Sequence, residues 1–188
     1  MPIMLPQVMI RTVQFLEEIE PIRAQIRCAA DKTAHELRKA MDEQPDGIEL
    51  LRRMKFTKMG FQPLVDEKLN LVEQINQTWT CLVSLNALPF LFARHPDAGG
   101  FQLNLGAGAG TDILSIAPGI VAAETFAAVR PSNNAKLSND MRKLARQCPD
   151  ARARYVFFAS PEYGHERQHR LRSLEPGLEG IEVWSIEV

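Results

Sequence analysis

The sequence predicts an α/β protein, a mixed sheet flanked by helices and preceded by an N-terminal helical extension. Three observations carry this. Apolar residues recur at spacings of three and four through the first ninety residues, short β-type runs replace that pattern after "RHPDAGG", and one strongly amphipathic helical segment interrupts the β runs. The organisation read from these is a helical extension over residues 1–66 and an α/β core over residues 67–188.

Residues 6–42 read as helical, with Ile22, Ile26, Ala29, Thr33, Leu37 and Ala40 on one stripe and Pro21 suited to a first turn or a kink. "GIELLRRMKF" reads as a short helix, and "TKMGFQPLVDEKLN" as a connection punctuated by Gly60 and Pro63. A second long helix starts at Asn70, where Asn70 and Glu73 have capping-box spacing. Leu71, Ile75, Trp79, Leu82 and Leu85 mark its apolar face, and Pro89 is expected to kink or end it.

The β-type runs are "FQLNL", "TDILSI", "IVAAETFAAV", "RYVFFAS" and "IEVWSI". Between the third and fourth lies "NNAKLSNDMRKLARQ". Leu137, Met141, Leu144 and Cys148 fall on one face of it, and Lys136, Asp140, Lys143 and Gln147 on another. Asn133 and Asn134 are expected to cap its start. The order is helix, three strands, helix, strand, short helix, strand.

Of 188 residues 45% are hydrophobic, the formal net charge is −1, and the three cysteines are far apart without zinc-ligand spacing. With no secretory pattern and no apolar run near the roughly 18 residues of a membrane span, a cytoplasmic, membrane-free protein is expected. Charge is uneven. Residues 130–172 hold ten Lys or Arg against four Asp or Glu, while residues 173–188 hold four acids and no base. The basic region can attract the phosphates of DNA or RNA, or be a solvated face balanced by the acidic tail.

The stretch "GAGAGTDILSIAPGIVAAETFAAV" raises two chemistries. A dinucleotide fingerprint fails because Thr111 occupies the third glycine position and a strand pattern, not a helix, follows; no Gly-Lys-Ser/Thr completes a P-loop either. The glycines are then a turn or bulge between strands. Asp112 and Glu124 are costly in apolar strands unless paired or bound to a cation. With a two-residue turn at Pro118 and Gly119 the two acids face opposite sides; with one extra residue in the loop they stand opposite each other on one face.

Asp112, eleven residues, then Glu124, Thr125 and Phe126, followed by a helix and "RYVFFAS", resembles the PD-(D/E)XK nuclease superfamily, the restriction-endonuclease-like fold. The resemblance implies Mg²⁺ or Mn²⁺ held by Asp112 and Glu124, with a backbone carbonyl carried over to Thr125 and a helix glutamate to Glu73. The superfamily's lysine position holds Phe126, and a phenyl ring cannot donate a proton. Lys136 is the candidate to replace that lysine; alternatively it pairs with Asp140 at i,i+4. Glu73 likewise is either a ligand or only part of a helix cap. His165 and His169, spaced i,i+4, would share a face if helical. The resemblance implies a nucleic-acid-associated protein, either an active metal-dependent nuclease or a non-catalytic relative; a protein-interaction module is the third reading. The N-terminal helices are candidates for a homodimer contact.

Overall fold

The computed structural model describes residues 9–65, 67–106, 110–172 and 177–188. In chain order the elements are β1 (Ile10–Val13), α1 (Ile19–Glu43), α2 (Gly47–Phe56), β2 (Gly60–Phe61), β3 (Lys68–Leu69), α3 (Leu71–Arg94), β4 (Phe101–Asn104), β5 (Ile113–Ser115), β6 (Val121–Ala127), α4 (Lys136–Gln147), β7 (Ala153–Ala159), β8 (Glu166–Arg167), α5 (His169–Arg172) and β9 (Ile181–Ser185). Among the described residues no helix is long and apolar enough to cross a membrane, and all three cysteines are free.

The chain forms two compact units, one of Glu18–Thr78 and one of Trp79–Val188 together with the segment ending at Glu17. Within the stretch 6–42 that reads as helical, residues 10–13 are a strand. Ile10, Thr12 and Val13 are β-branched, and β1 pairs antiparallel with β4, Val13 opposite Phe101. In the Glu18–Thr78 unit, α1 packs on β2, and the short hairpin β2–β3 occupies what the sequence reads as a plain connection. Gln74 ties this unit together, its Oε1 accepting from the Thr33 hydroxyl and the Phe61 N–H.

The larger unit is built on a seven-stranded mixed sheet in the order β1-β4-β5-β6-β7-β9-β8. β4, β5 and β6 form an antiparallel meander; β7 and β9 run parallel to β6 and to each other. Between β6 and β7 the chain crosses over through α4, the helix that a parallel pair requires. Residues of α4 bury Leu137, Met141 and Leu144 against Phe126, Val156 and Phe158 on one face. On the other face Phe90 of α3 meets the rings of Tyr155, Phe157 and Trp184 at centroid distances of 5.7, 5.7 and 4.6 Å, and Phe92 meets Phe101 at 5.0 Å. Full burial of such side chains stabilises by about 1.5–3 kcal/mol each.

α3 runs through Pro89, so the proline does not end the helix. Pro89 is exposed, and the helix gives up the N–H bond that proline cannot make. Nor do Asn133 and Asn134 cap α4. Asn134 and Ala135 both have left-handed backbones (φ 54° and 52°), and the helix starts without a side-chain cap.

Candidate acidic and lysine site

The loop between β5 and β6 decides whether the two acids meet. Ser115 Oγ accepts the Val121 N–H at 2.9 Å and donates to the Ala117 carbonyl at 2.6 Å, closing residues 116–120 as a loop with Gly119 left-handed (φ 74°). The loop is longer than a two-residue turn. Ile113 stands opposite Ala123 and Leu114 opposite Ala122, a register that, continued one step, sets Asp112 opposite Glu124 on the same face. Leu103 opposite Ile113 likewise sets Asn104 opposite Asp112, and the Asn104 N–H donates to the Asp112 carbonyl at 2.8 Å. Asn104 and Glu124 thus share the face that α4 covers, while Asp112, immediately before β5, turns its carboxylate to Thr125, whose hydroxyl meets Ser84 of α3.

Asp112 is partly buried. Its Oδ2 accepts the Thr125 backbone N–H at 2.7 Å and lies 3.2 Å from the Thr125 hydroxyl, which in turn sits 2.8 Å from Ser84 Oγ of α3. Thr125 therefore braces Asp112 with its backbone and side chain. Glu124 is 1% exposed, and its Oε2 accepts from Lys143 Nζ at 2.7 Å. Asp140, 3% exposed, accepts from Lys136 Nζ at 2.6 Å. Glu124 Oε1, Asp140 Oδ2 and Asn104 Oδ1 are buried without a hydrogen-bond partner.

Burial dominates the electrostatics. It pushes Glu124 up to about 8, with the charge of Asp112 adding to the rise and the ammonium of Lys143 opposing it. The carboxyls of Asp112 and Asp140 are raised by burial as well. The Thr125 N–H, Lys143 and Lys136 pull Asp112 back, and Lys136 does the same for Asp140. Three carboxyls and two ammoniums form one interacting group.

Lys136 reaches Asp140 rather than either strand acid; it also lies 5.9 Å from the Phe126 ring centroid. The lysine that meets Glu124 is Lys143. Glu73 belongs to the Glu18–Thr78 unit, is exposed, and donates its backbone N–H to Asn70 Oδ1 at 2.9 Å, which is the capping alternative. His165 precedes β8 and His169 opens α5, so the two histidines do not share a helix. Of the glycine run, residues 107–109 lie outside the described residues, while Gly110 has φ 132°. Among the described residues no three Asp, Glu, His or Cys side chains close on one point as a metal cage.

Lys143 and Asp140 are the residues that sequence reasoning left outside the site. Their signal is present, since Lys136, Asp140 and Lys143 repeat at i, i+4 and i+7 on one helix. The strand that this stripe would face cannot be read from the helix alone. Of the ten basic residues in 130–172, Arg152 makes two bonds to Asp97 at 2.7 and 2.8 Å and Arg167 pairs with Glu182. Asn139, Arg142, Ala145, Arg146 and Leu178 line an open groove along α4. Comparison with family models, with curated proteins and with solved structures finds no match to this chain.

Proposed function

We propose that the protein is a metal-dependent phosphodiesterase of the PD-(D/E)XK kind acting on nucleic acid, with Lys143 in the role of the superfamily's missing lysine. The observation that carries this is the β5–β6 register, which continued one residue sets Asp112 opposite Glu124, with Lys143 Nζ 2.7 Å from Glu124 Oε2. The strand order supports it. A helix, an antiparallel meander of three strands, a crossover helix and a parallel fourth strand put the first acid by the second strand and the second acid within the third.

Mg²⁺ or Mn²⁺ fits the donor set in part. Asp112 and Glu124 would hold it, hard oxygen ligands suit it, and the unpartnered Glu124 Oε1 is free to bind; Mg²⁺ commonly keeps several waters and uses only one or two carboxylates. The chemistry such an ion supplies when bound is Lewis-acid polarisation of a phosphoryl oxygen. Thr125 fixes the Asp112 carboxylate through its N–H, so that acid is oriented before any substrate arrives. Lys143 holds Glu124 in place and brings an ammonium that can donate a proton or stabilise developing negative charge. The groove with Arg142 and Arg146 offers cations for phosphates along α4.

A second reading, a nucleic-acid-binding relative without chemistry, is favoured by Phe126. It fills the superfamily's lysine position and is buried at 3% exposure. Incubating the protein and Mn²⁺ with single- and double-stranded DNA and RNA separates the two. The active reading expects cleavage that falls by about 100-fold or more in Glu124→Gln and Lys143→Met. Binding without cleavage would assign the second reading, and neither would overturn both.

A further inference from the structure

Four buried side-chain oxygens or nitrogens lack a hydrogen-bond partner among the described residues, and three of them, Asn104 Oδ1, Glu124 Oε1 and Asp140 Oδ2, come from residues on β4, β6 and the α4 that covers that sheet face. All three are acceptors. A buried acceptor without a partner costs about 1–3 kcal/mol, more when charged, so the cluster calls for donors or for a cation. The second oxygens of the two acids are already committed, Glu124 Oε2 to Lys143 and Asp140 Oδ1 to Lys136. Asp112 Oδ2 is committed to Thr125. With all three carboxyls ionised against two ammoniums, one negative charge would stand in excess, and Glu124 and Asp140 stand close enough for the charge of Asp140 to act on Glu124.

We infer that Glu124 Oε1 and Asp140 Oδ2 bind a hard divalent cation, with Asp140 supplied by α4 as a ligand beyond the pair Asp112 and Glu124. The inference rests on the metal-dependent reading in sharing Asp112 and Glu124 with it. A site of this make holds its ion between strand β6 and helix α4, and two carboxylates suffice for an ion that keeps water in its remaining positions.

Mn²⁺ is the probe. Its affinity is measured by electron paramagnetic resonance on wild type, Asp140→Asn and Asp112→Asn, with far-UV circular dichroism to establish folding. Asp140→Asn and Asp112→Asn are each expected to weaken Mn²⁺ by at least about 10-fold. In wild type, Mn²⁺ should broaden the amide NMR signals of residues 139–143 together with those of residues 112 and 124. This readout holds even where a variant fails to fold. Unchanged affinity in Asp140→Asn, broadening that spares residues 139–143, or no Mn²⁺ binding by wild type overturns the inference, the last leaving a proton shared by the two carboxyls. Mn²⁺-dependent cleavage with Asp140→Asn binding normally sinks this site and keeps the proposed function. Loss of Mn²⁺ in Asp140→Asn without any cleavage by wild type does the reverse.

Discussion

Phe126 shows how one side chain ties the fold to the site. It stacks on Phe158 with centroids 5.7 Å apart and planes 19° from parallel, inside the cluster that holds Leu137 and Met141. On β6 it lies two residues after Glu124, on the same face, so the position that would carry a lysine next to the acid carries part of the core. Phe126→Lys therefore exchanges a buried ring for an ammonium near Lys136 and Lys143. Removing a buried phenyl costs about 3–5 kcal/mol, and the unpaired charge adds to that. The expected outcome is a large drop in the urea midpoint and no gain in cleavage. A variant that kept the wild-type midpoint and cut faster would show that the ring is dispensable. Ser84 gives a smaller effect by the same logic. Ser84→Ala deletes the hydroxyl 2.8 Å from Thr125 Oγ1 and should cost about 1 kcal/mol in equilibrium unfolding, leaving the Thr125 N–H to Asp112 intact.

Among the elements, α4 carries most of the site, and its start is strained. Ala135 at φ 52° sits where a Cβ is penalised by about 1–2 kcal/mol, immediately before Lys136. Ala135→Gly removes that penalty and loses part of the gain to the greater freedom of glycine in the unfolded chain. The net expectation is a stabilisation of about 0.5 kcal/mol, read as a higher melting temperature; a lower one would mean that the turn depends on the alanine methyl. The stripe Leu137, Met141 and Leu144 was legible because a 3.6-residue period is written along the helix itself. That Asp140 is buried beside this stripe was not, because the polar face meets its partner across β6, whose register depends on how Ser115 closes a loop. β1 was illegible for a related reason: four residues carry too short a pattern to outweigh the helical stripe after them, and only pairing with β4 makes them a strand. β8 is two residues long and has no pattern of its own. Pro89 misled in the opposite direction, since a proline on the exposed side of a helix held by aromatic packing does not stop it.

For the whole molecule, the buried titratable groups set opposing slopes of stability against pH. His95 is buried with its Nε2 2.8 Å from the Tyr155 hydroxyl, and burial, then Arg152 and Arg94, hold it below the ordinary value of 6.5. The unfolded chain therefore takes up a proton that the folded one refuses, and this contribution to stability is lost as pH falls below about 6.5. Glu124 works the other way. Folded, it keeps its proton up to about 8, whereas its ordinary value is 4.5, so between these values the folded state binds the extra proton and stability falls as pH rises. Asp112 and Asp140, also raised, add to that fall. Well above pH 6.5 His95 is neutral in both states, so Glu124 acts there without it. In buffer containing a chelator, the unfolding free energy should decline between pH 6.5 and 8 with a slope of up to about 1.4 kcal/mol per pH unit for each proton involved. Glu124→Gln, which does not titrate, should flatten most of the decline, while His95→Gln should change the limb around and below pH 6.5. A wild-type profile level from 6.5 to 8 would mean that Lys143 keeps Glu124 ionised throughout, its attraction outweighing the cost of burial.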